Sequence, residues 1–194
     1  MGKAQPASYY DVIYATDPGY IAAPDAMRPA WLWRELCARI KPRRAVLDVG
    51  CGPGGLGWYL EQREAADRCS VYAGVDFSEV AIRRARALVP RGFFDVVDYA
   101  TEVGRQRVGA LAEQADLVVC AEVLEHIETD RELLAALPIG CDVLLTVPPT
   151  DDPGHVRCFS GLAAVEMRYG DLIAFTQIFW LGGRQCLLGR GRRR

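Results

Sequence analysis

The 194-residue sequence contains two histidines, and both keep acidic company. His126 closes the run Glu122-Val-Leu-Glu125-His126, and His155 follows Asp151-Asp152-Pro153-Gly154. An imidazole titrates near neutral pH, so either histidine could take a proton from an acceptor hydroxyl as a general base. Imidazole nitrogens and carboxylates together are also a donor set that binds divalent metals. If residues 122–126 wind helically, Glu122 shares a face with Glu125 and with His126. A third reading is structural, with Glu122 lining a ligand pocket and His126 tying neighbouring loops. Glu125, His126 and His155 are therefore the candidate catalytic residues, and no residue is assigned to a metal.

A second constellation lies upstream, in Ala45-Val-Leu-Asp48-Val-Gly50-Cys51-Gly52-Pro-Gly54-Gly55. A short apolar run passes into a glycine-rich turn and then a helix. Such a turn lets a nucleotide-like ligand approach bare backbone. Gly50, Gly52 and Gly55 also fit the dinucleotide fingerprint Gly-x-Gly-x-x-Gly. Asp48 separates the two readings. A carboxylate beside the first glycine repels a diphosphate and attracts a ligand carrying sulfonium and ammonium groups. The residue pattern thus favours S-adenosylmethionine over a nicotinamide dinucleotide. Asp76, at the end of the next strand-like run, can accept from both ribose hydroxyls, and Phe77 can lie against adenine. The competing reading of Asp76 is a helix cap or turn residue.

The elements that must position these groups alternate. Strands are expected at 45–49, 71–75, 93–97, 117–120 and 141–147, the last stopped by Pro148-Pro149. Four of these are almost continuously apolar, as in parallel strands covered on both faces. Helices are expected over 25–40, from Gly55 to Arg63, from Ser78 to Leu88 with Ser78 as N-cap, around 132–137, and over 160–169. The runs 173–180 and 185–188, joined across Gly182-Gly183, read as a hairpin. The expected fold is a single α/β Rossmann-like domain with a seven-stranded, mostly parallel sheet, an antiparallel C-terminal hairpin and helices on both faces. Residues 1–40 form an N-terminal lid or helical segment and residues 41–194 the core. Tyr9, Tyr10, Tyr14 and Tyr20 are the candidates for the lid, in a loop-rich lead segment with one short helix.

Composition narrows the partners. A formal charge of -2 provides no field to recruit nucleic acid. No stretch approaches the roughly 20 apolar residues of a membrane helix, and no signal-peptide pattern is present, so a cytoplasmic setting is expected. Seven cysteines without Cys-x-x-Cys spacing argue against a zinc site or disulfide framework. The tail arginines 190, 192, 193 and 194 read as a solvated end.

Three segments together resemble the class I S-adenosylmethionine-dependent methyltransferases, in the broad group acting on small molecules: LDVGCGPGG (47–55), GVDFSEVAIRRAR (74–86) and ADLVVCAEVLEHI (115–127). The resemblance implies that Gly50, Cys51, Gly52 and Gly54 contact the methionine part of the cofactor and that Asp76 binds its ribose. It also implies that Asp98 and Tyr99 border the adenine, with Asp95 as a competitor. The expected reaction is methylation of a small molecule, O-directed. Two alternatives stay open. Glu-x-x-Glu-His with a later His is similar to the metal site of small-RNA 3′-terminal 2′-O-methyltransferases, which carry a further histidine that this chain lacks. A non-catalytic cofactor-binding partner domain is the other. No long insertion follows the fifth strand, so the acceptor pocket is expected to be completed by the N-terminal segment or by a second copy in a homodimer.

Overall fold

A computed structural model of the chain describes residues 2–42 and 44–194. They divide into two compact units, Pro6–Val97 and residues 2–5 together with Asp98–Arg194.

The first unit opens with α1 (Ala7–Thr16) and the single turn α2 (Pro18–Ile21), so the lead segment is more helical than its Tyr, Pro and Gly content suggests. Asp17 caps α2, accepting from Gly19 N at 2.7 Å. Helix α3 (Ala30–Arg39) starts after Pro29 and buries Leu32, Trp33 and Leu36 at helical spacing. Strand β1 (Ala45–Val49) leads through the glycine turn into α4 (Gly55–Glu61), then β2 (Val71–Asp76), α5 (Glu79–Leu88) and β3 (Phe93–Val96). The strands pair in parallel, β1 on β2 and β2 on β3, with Asp48 opposite Gly74. Ser78 caps α5 as expected, its hydroxyl accepting from Ala81 N at 3.1 Å, and Ala81, Ile82 and Ala85 form the buried stripe.

The second unit holds α6 (Glu102–Ala112), β4 (Leu117–Ala121), α7 (Asp130–Ala135), β5 (Asp142–Val147), α8 (Leu162–Tyr169), β6 (Ile173–Leu181) and β7 (Cys186–Arg193). Helix α6 was not legible in the sequence, because Gly104 and Gly109 break its propensity. Thr101 nonetheless caps it, accepting from Gly104 N at 3.1 Å, and Gly104, Val108 and Ala112 bury one face. Strands β4 and β5 run parallel, while β7 pairs antiparallel with both β5 and β6. The arginine tail is therefore not a solvated end. It is part of β7, where Arg192 meets Asp142 at 2.8 Å and Arg193 Nε donates to the Leu134 carbonyl at 2.9 Å. A buried carboxylate, Asp130, is answered by Arg168 at 2.6 and 2.7 Å and by the Tyr169 hydroxyl at 2.6 Å.

Across the chain the strand order is β3-β2-β1-β4-β5-β7-β6, a seven-stranded, mostly parallel sheet with the antiparallel C-terminal pair that the hairpin signal predicts. No helix among the described residues is long and apolar enough to cross a membrane.

Candidate functional site

In the first unit, the glycine turn takes the backbone conformations that its composition demands. Gly50, Gly52 and Gly54 have φ of 73°, 54° and 87°, values that strain any residue with a Cβ. Both oxygens of Asp76 hold the local backbone, accepting from Gly52 N and from Ser78 N at 2.9 Å each. The cap reading and the ligand reading of Asp76 are thus compatible, because a carboxylate has lone pairs beyond these two bonds. Asp48 is only 3% exposed and Asp76 2%. The Tyr72 hydroxyl donates to Asp48 at 2.5 Å, a partner the sequence did not reveal.

Burial dominates the charge state of both acids. It pushes Asp48 up to about 7, with the Tyr72 bond pulling back and the charge of Asp76 adding to the rise. It raises Asp76 to about 6, against the lowering effect of the Ser78 and Gly52 backbone donors. Asp48 is therefore not the open charge that the sequence suggests; without a counter-cation it is held partly as the neutral acid. Two buried carboxylates beside bare backbone fit a ligand bringing an ammonium group and ribose hydroxyls, and they resist a diphosphate.

Helix α1 lies over this turn. The Tyr14 hydroxyl stands 3.2 Å from where a Gly52 Cβ would project, and burial, reinforced by Asp76, raises its pKa well above the ordinary value. Tyr10 packs edge-on against Phe77 with ring centroids 5.0 Å apart. Asp11 takes the Ser78 hydroxyl at 2.5 Å and the Val80 amide at 3.3 Å. From α5, Arg84 donates to the carbonyls of Tyr14 at 2.6 Å and Tyr20 at 2.5 Å. Asp11 and Arg84 are absent from the sequence-derived set. The signal for Asp11 was its place between Tyr10 and Tyr14 on one short helix.

In the second unit, Asp98 is exposed and forms a turn. Its side chain accepts from Ala100 N at 3.1 Å and its carbonyl from Thr101 N at 3.0 Å, while Tyr99 is 3% exposed. The segment after β4 is not helical, so the shared helical face expected for Glu122, Glu125 and His126 does not form. Glu122 instead adopts φ 55°, one of two non-glycine residues in the left-handed region among the described residues. Such strain in a bulky residue concentrates at functional sites. The turn still brings three of the candidates together. Ligating atoms of Glu125, His126 and His155 all lie within 4.8 Å of one another, and the two imidazole centroids are 4.7 Å apart.

Each imidazole is oriented by a carbonyl, His126 Nδ1 to Gly154 O at 3.2 Å and His155 Nδ1 to Thr150 O at 3.0 Å. With the proton on Nδ1, the Nε2 lone pair is the outward one; for His126 it lies 3.7 Å from Glu125 Oε1. Burial, then the neighbouring His155, lowers His126 to about 4, so it is neutral at physiological pH. Glu125 is 0% exposed and neither of its oxygens has a hydrogen-bond partner, nor has Oε1 of Glu122. Burial raises Glu125 well above the carboxylate range and Glu122 to about 7. Thr146 stands close enough to lower Glu122 slightly, although its hydroxyl makes no hydrogen bond of good geometry. Arg157, also missed in the sequence, braces the turn by donating to the carbonyls of Leu124 and Ile127.

Comparison with known proteins follows this geometry. Residues 47–138 match the profile of a family described as a methyltransferase domain. Over 95 residues the chain is 34% identical to a ubiquinone biosynthesis O-methyltransferase of Hahella chejuensis, covering 49% of this chain and 37% of that protein. Over 136 residues it is 34% identical to a trans-aconitate 2-methyltransferase of Rhodopseudomonas palustris, covering 66% and 48%. The chain spans less than half the length of these two curated relatives. Among solved structures, a Pyrococcus horikoshii protein superposes with a TM-score of 0.67 at 19% identity, over 96% of this chain and 99% of that one. The N-methyltransferase NodS of Bradyrhizobium japonicum, solved with S-adenosyl-L-homocysteine, gives 0.64 at 19% identity over 96% and 97%. At such identities the likeness shows the fold.

Proposed function

We propose that this chain, whose residues 47–138 match a methyltransferase domain, is a class I S-adenosylmethionine-dependent methyltransferase that transfers a methyl group to an oxygen of a small molecule. The observation that carries this reading is the pair of buried acids, Asp48 and Asp76, set at two strand ends beside the left-handed Gly52 and Gly54. The relatives described as a ubiquinone biosynthesis O-methyltransferase and a trans-aconitate 2-methyltransferase support a small-molecule acceptor, and the first of them supports oxygen as the acceptor atom. Seven thiols favour a reducing compartment, and the cytoplasm is the setting we assign.

Bound at the turn, S-adenosylmethionine supplies an electrophilic methyl group on a cationic sulfur. The rest is positioning by this chain. Asp76 accepts from the ribose hydroxyls while keeping its hold on Gly52 and Ser78. Asp48 gives its charge to the ligand's ammonium group. Cys51, Gly50 and Gly54 leave room for the methionine part, and Phe77 borders the adenine. Helix α1, carrying Tyr10 and Tyr14, acts as a lid that yields to admit the ligand and then excludes water. Alignment of donor and acceptor supplies much of the rate enhancement in such displacements. Within the second unit, the Nε2 of a histidine in the Glu125–His126–His155 group is the base assigned to take the acceptor's proton.

The pH dependence follows from the two acids. Both have folded pKa values, about 7 and about 6, above the unfolded carboxylate range. Their contribution to stability is full below about pH 4 and is lost as pH rises toward 7. A cationic ligand prefers the ionised forms, so binding releases protons and affinity rises between pH 5 and 8.

The test of the reaction uses methyl-labelled S-adenosylmethionine with phenols, aliphatic hydroxy compounds, carboxylates, amines and short RNA. Label on an oxygen of a small acceptor is the expected result. Label appearing only on amines or only on RNA overturns the proposal.

A further inference from the structure

We propose that Glu125, His126 and His155 form a binding site for a divalent first-row transition metal. The site lies wholly within the second unit, and binding of the ion requires neither cofactor nor acceptor.

The donor set is the first observation. Two imidazole nitrogens and one carboxylate suit zinc, manganese, iron or cobalt better than magnesium or calcium, which prefer all-oxygen shells. Ligating atoms of the three residues already lie within 4.8 Å of one another, so a modest inward shift brings them to a common ion. The second observation is Glu125 itself. Its side chain is completely buried, both oxygens lack any hydrogen-bond partner, and Oε1 is 3.7 Å from His126 Nε2. An orphaned buried carboxylate is expensive, and native structures keep one for a reason, among them catalysis or a bound ion. Glu122 adds a further orphaned oxygen, Oε1, on a backbone held at φ 55°.

The third observation is the orienting shell. Metal-binding imidazoles characteristically donate their other ring nitrogen to a carbonyl or carboxylate, which fixes tautomer and ring plane. Both histidines are arranged this way, His126 on Gly154 O at 3.2 Å and His155 on Thr150 O at 3.0 Å. The loop bearing His155 is fastened at two more points. His155 N donates to Asp152 O at 2.9 Å, and Gly2 N donates to His155 O at 2.8 Å. Arg157 fixes the facing turn through the Leu124 and Ile127 carbonyls. Two independently braced loops thus converge their donor atoms on one buried point.

The experiment uses the untagged full chain, stripped with chelator and dialysed against zinc, manganese, cobalt or magnesium chloride, with no cofactor or acceptor present. One equivalent of a transition ion is expected to bind per chain, with magnesium at least roughly tenfold weaker. Glu125→Gln keeps the buried volume, and His155→Ala removes a ligand from a loop. Each is expected to lose roughly 100-fold or more in affinity while melting like the chelated parent protein. Cobalt should give a visible absorption band that both variants abolish. Stoichiometry near zero, magnesium binding as tight as zinc, or retention of the ion by both variants would overturn the site. None of these outcomes bears on whether the glycine turn binds S-adenosylmethionine.

Discussion

Asp76→Asn lowers the affinity of the chain for S-adenosylmethionine roughly 100-fold and leaves the melting temperature of the free chain almost unchanged. The two effects separate because the carboxylate does two things. Toward the protein, its oxygens accept from Gly52 N and Ser78 N at 2.9 Å each. Asparagine has a single acceptor oxygen, so one backbone donor loses its partner, at about 1–3 kcal/mol. Against this stands relief from burying a charge that prefers protonation up to about pH 6, a penalty of similar size. Toward the ligand no such offset exists. Hydrogen bonds from ribose hydroxyls to an ionised acid contribute about 1.5–3 kcal/mol each, and the amide replaces both with weaker ones. Calorimetric titration paired with thermal melts checks the separation. A melting temperature that collapses together with the affinity would make Asp76 a structural cap alone.

Gly104→Ala is expected to cost about 3 kcal/mol, lowering the melting temperature by roughly 6–12 °C. The new Cβ would lie 1.9 Å from the Asp98 carbonyl oxygen and 2.4 Å from its carbon. These are backbone atoms of a turn closed by Thr101 N and Thr101 Oγ1, which donate to the same oxygen at 3.0 and 2.7 Å. The first turn of α6 must therefore swing away from residues 98–101, displacing Asp98 and Tyr99, the residues assigned to the adenine. Gly161→Ala is the control. Its φ of 169° suits any residue and nothing lies within 4 Å of the added carbon, so the change stays within about 0.5 kcal/mol. Melts followed by circular dichroism compare the two, and equal stability would contradict the packing account.

The parts of the fold that sequence made legible are those where one signal dominates. The apolar runs at 45–49 and 117–120 read as doubly covered strands, and the structure buries both almost completely. Ser78 announced the start of α5 by residue type alone. Where signals compete, the reading failed. The glycines of α6 hid a helix because its propensity is poor while its packing, unseen in sequence, is close. Four arginines in the last five positions suggested solvent, yet β7 is paired on both sides and its guanidinium groups reach outward to Asp142 and to carbonyls.

The site divides along the same line. Positive φ at Gly52 and Gly54 was implied by residue type, and Asp76 by its place at a strand end. The convergence of Glu125, His126 and His155 was not derivable from helical spacing, because it arises from an irregular turn and a separate loop. The Tyr72 hydroxyl on Asp48 was equally invisible, since the two residues sit 24 positions apart on paired strands. Burial, with that hydrogen bond pulling against it, changes the electrostatic argument from a fixed negative charge to an acid that ionises when a cation arrives.

Titration of the chain with S-adenosylmethionine and with NADH at pH 6 and pH 8 tests that claim most directly. The sulfonium ligand should bind one to one, more tightly at pH 8, with proton release visible as a dependence on buffer ionisation enthalpy, and NADH should give no heat of binding. Saturable binding of NADH in the absence of binding by S-adenosylmethionine would contradict the account.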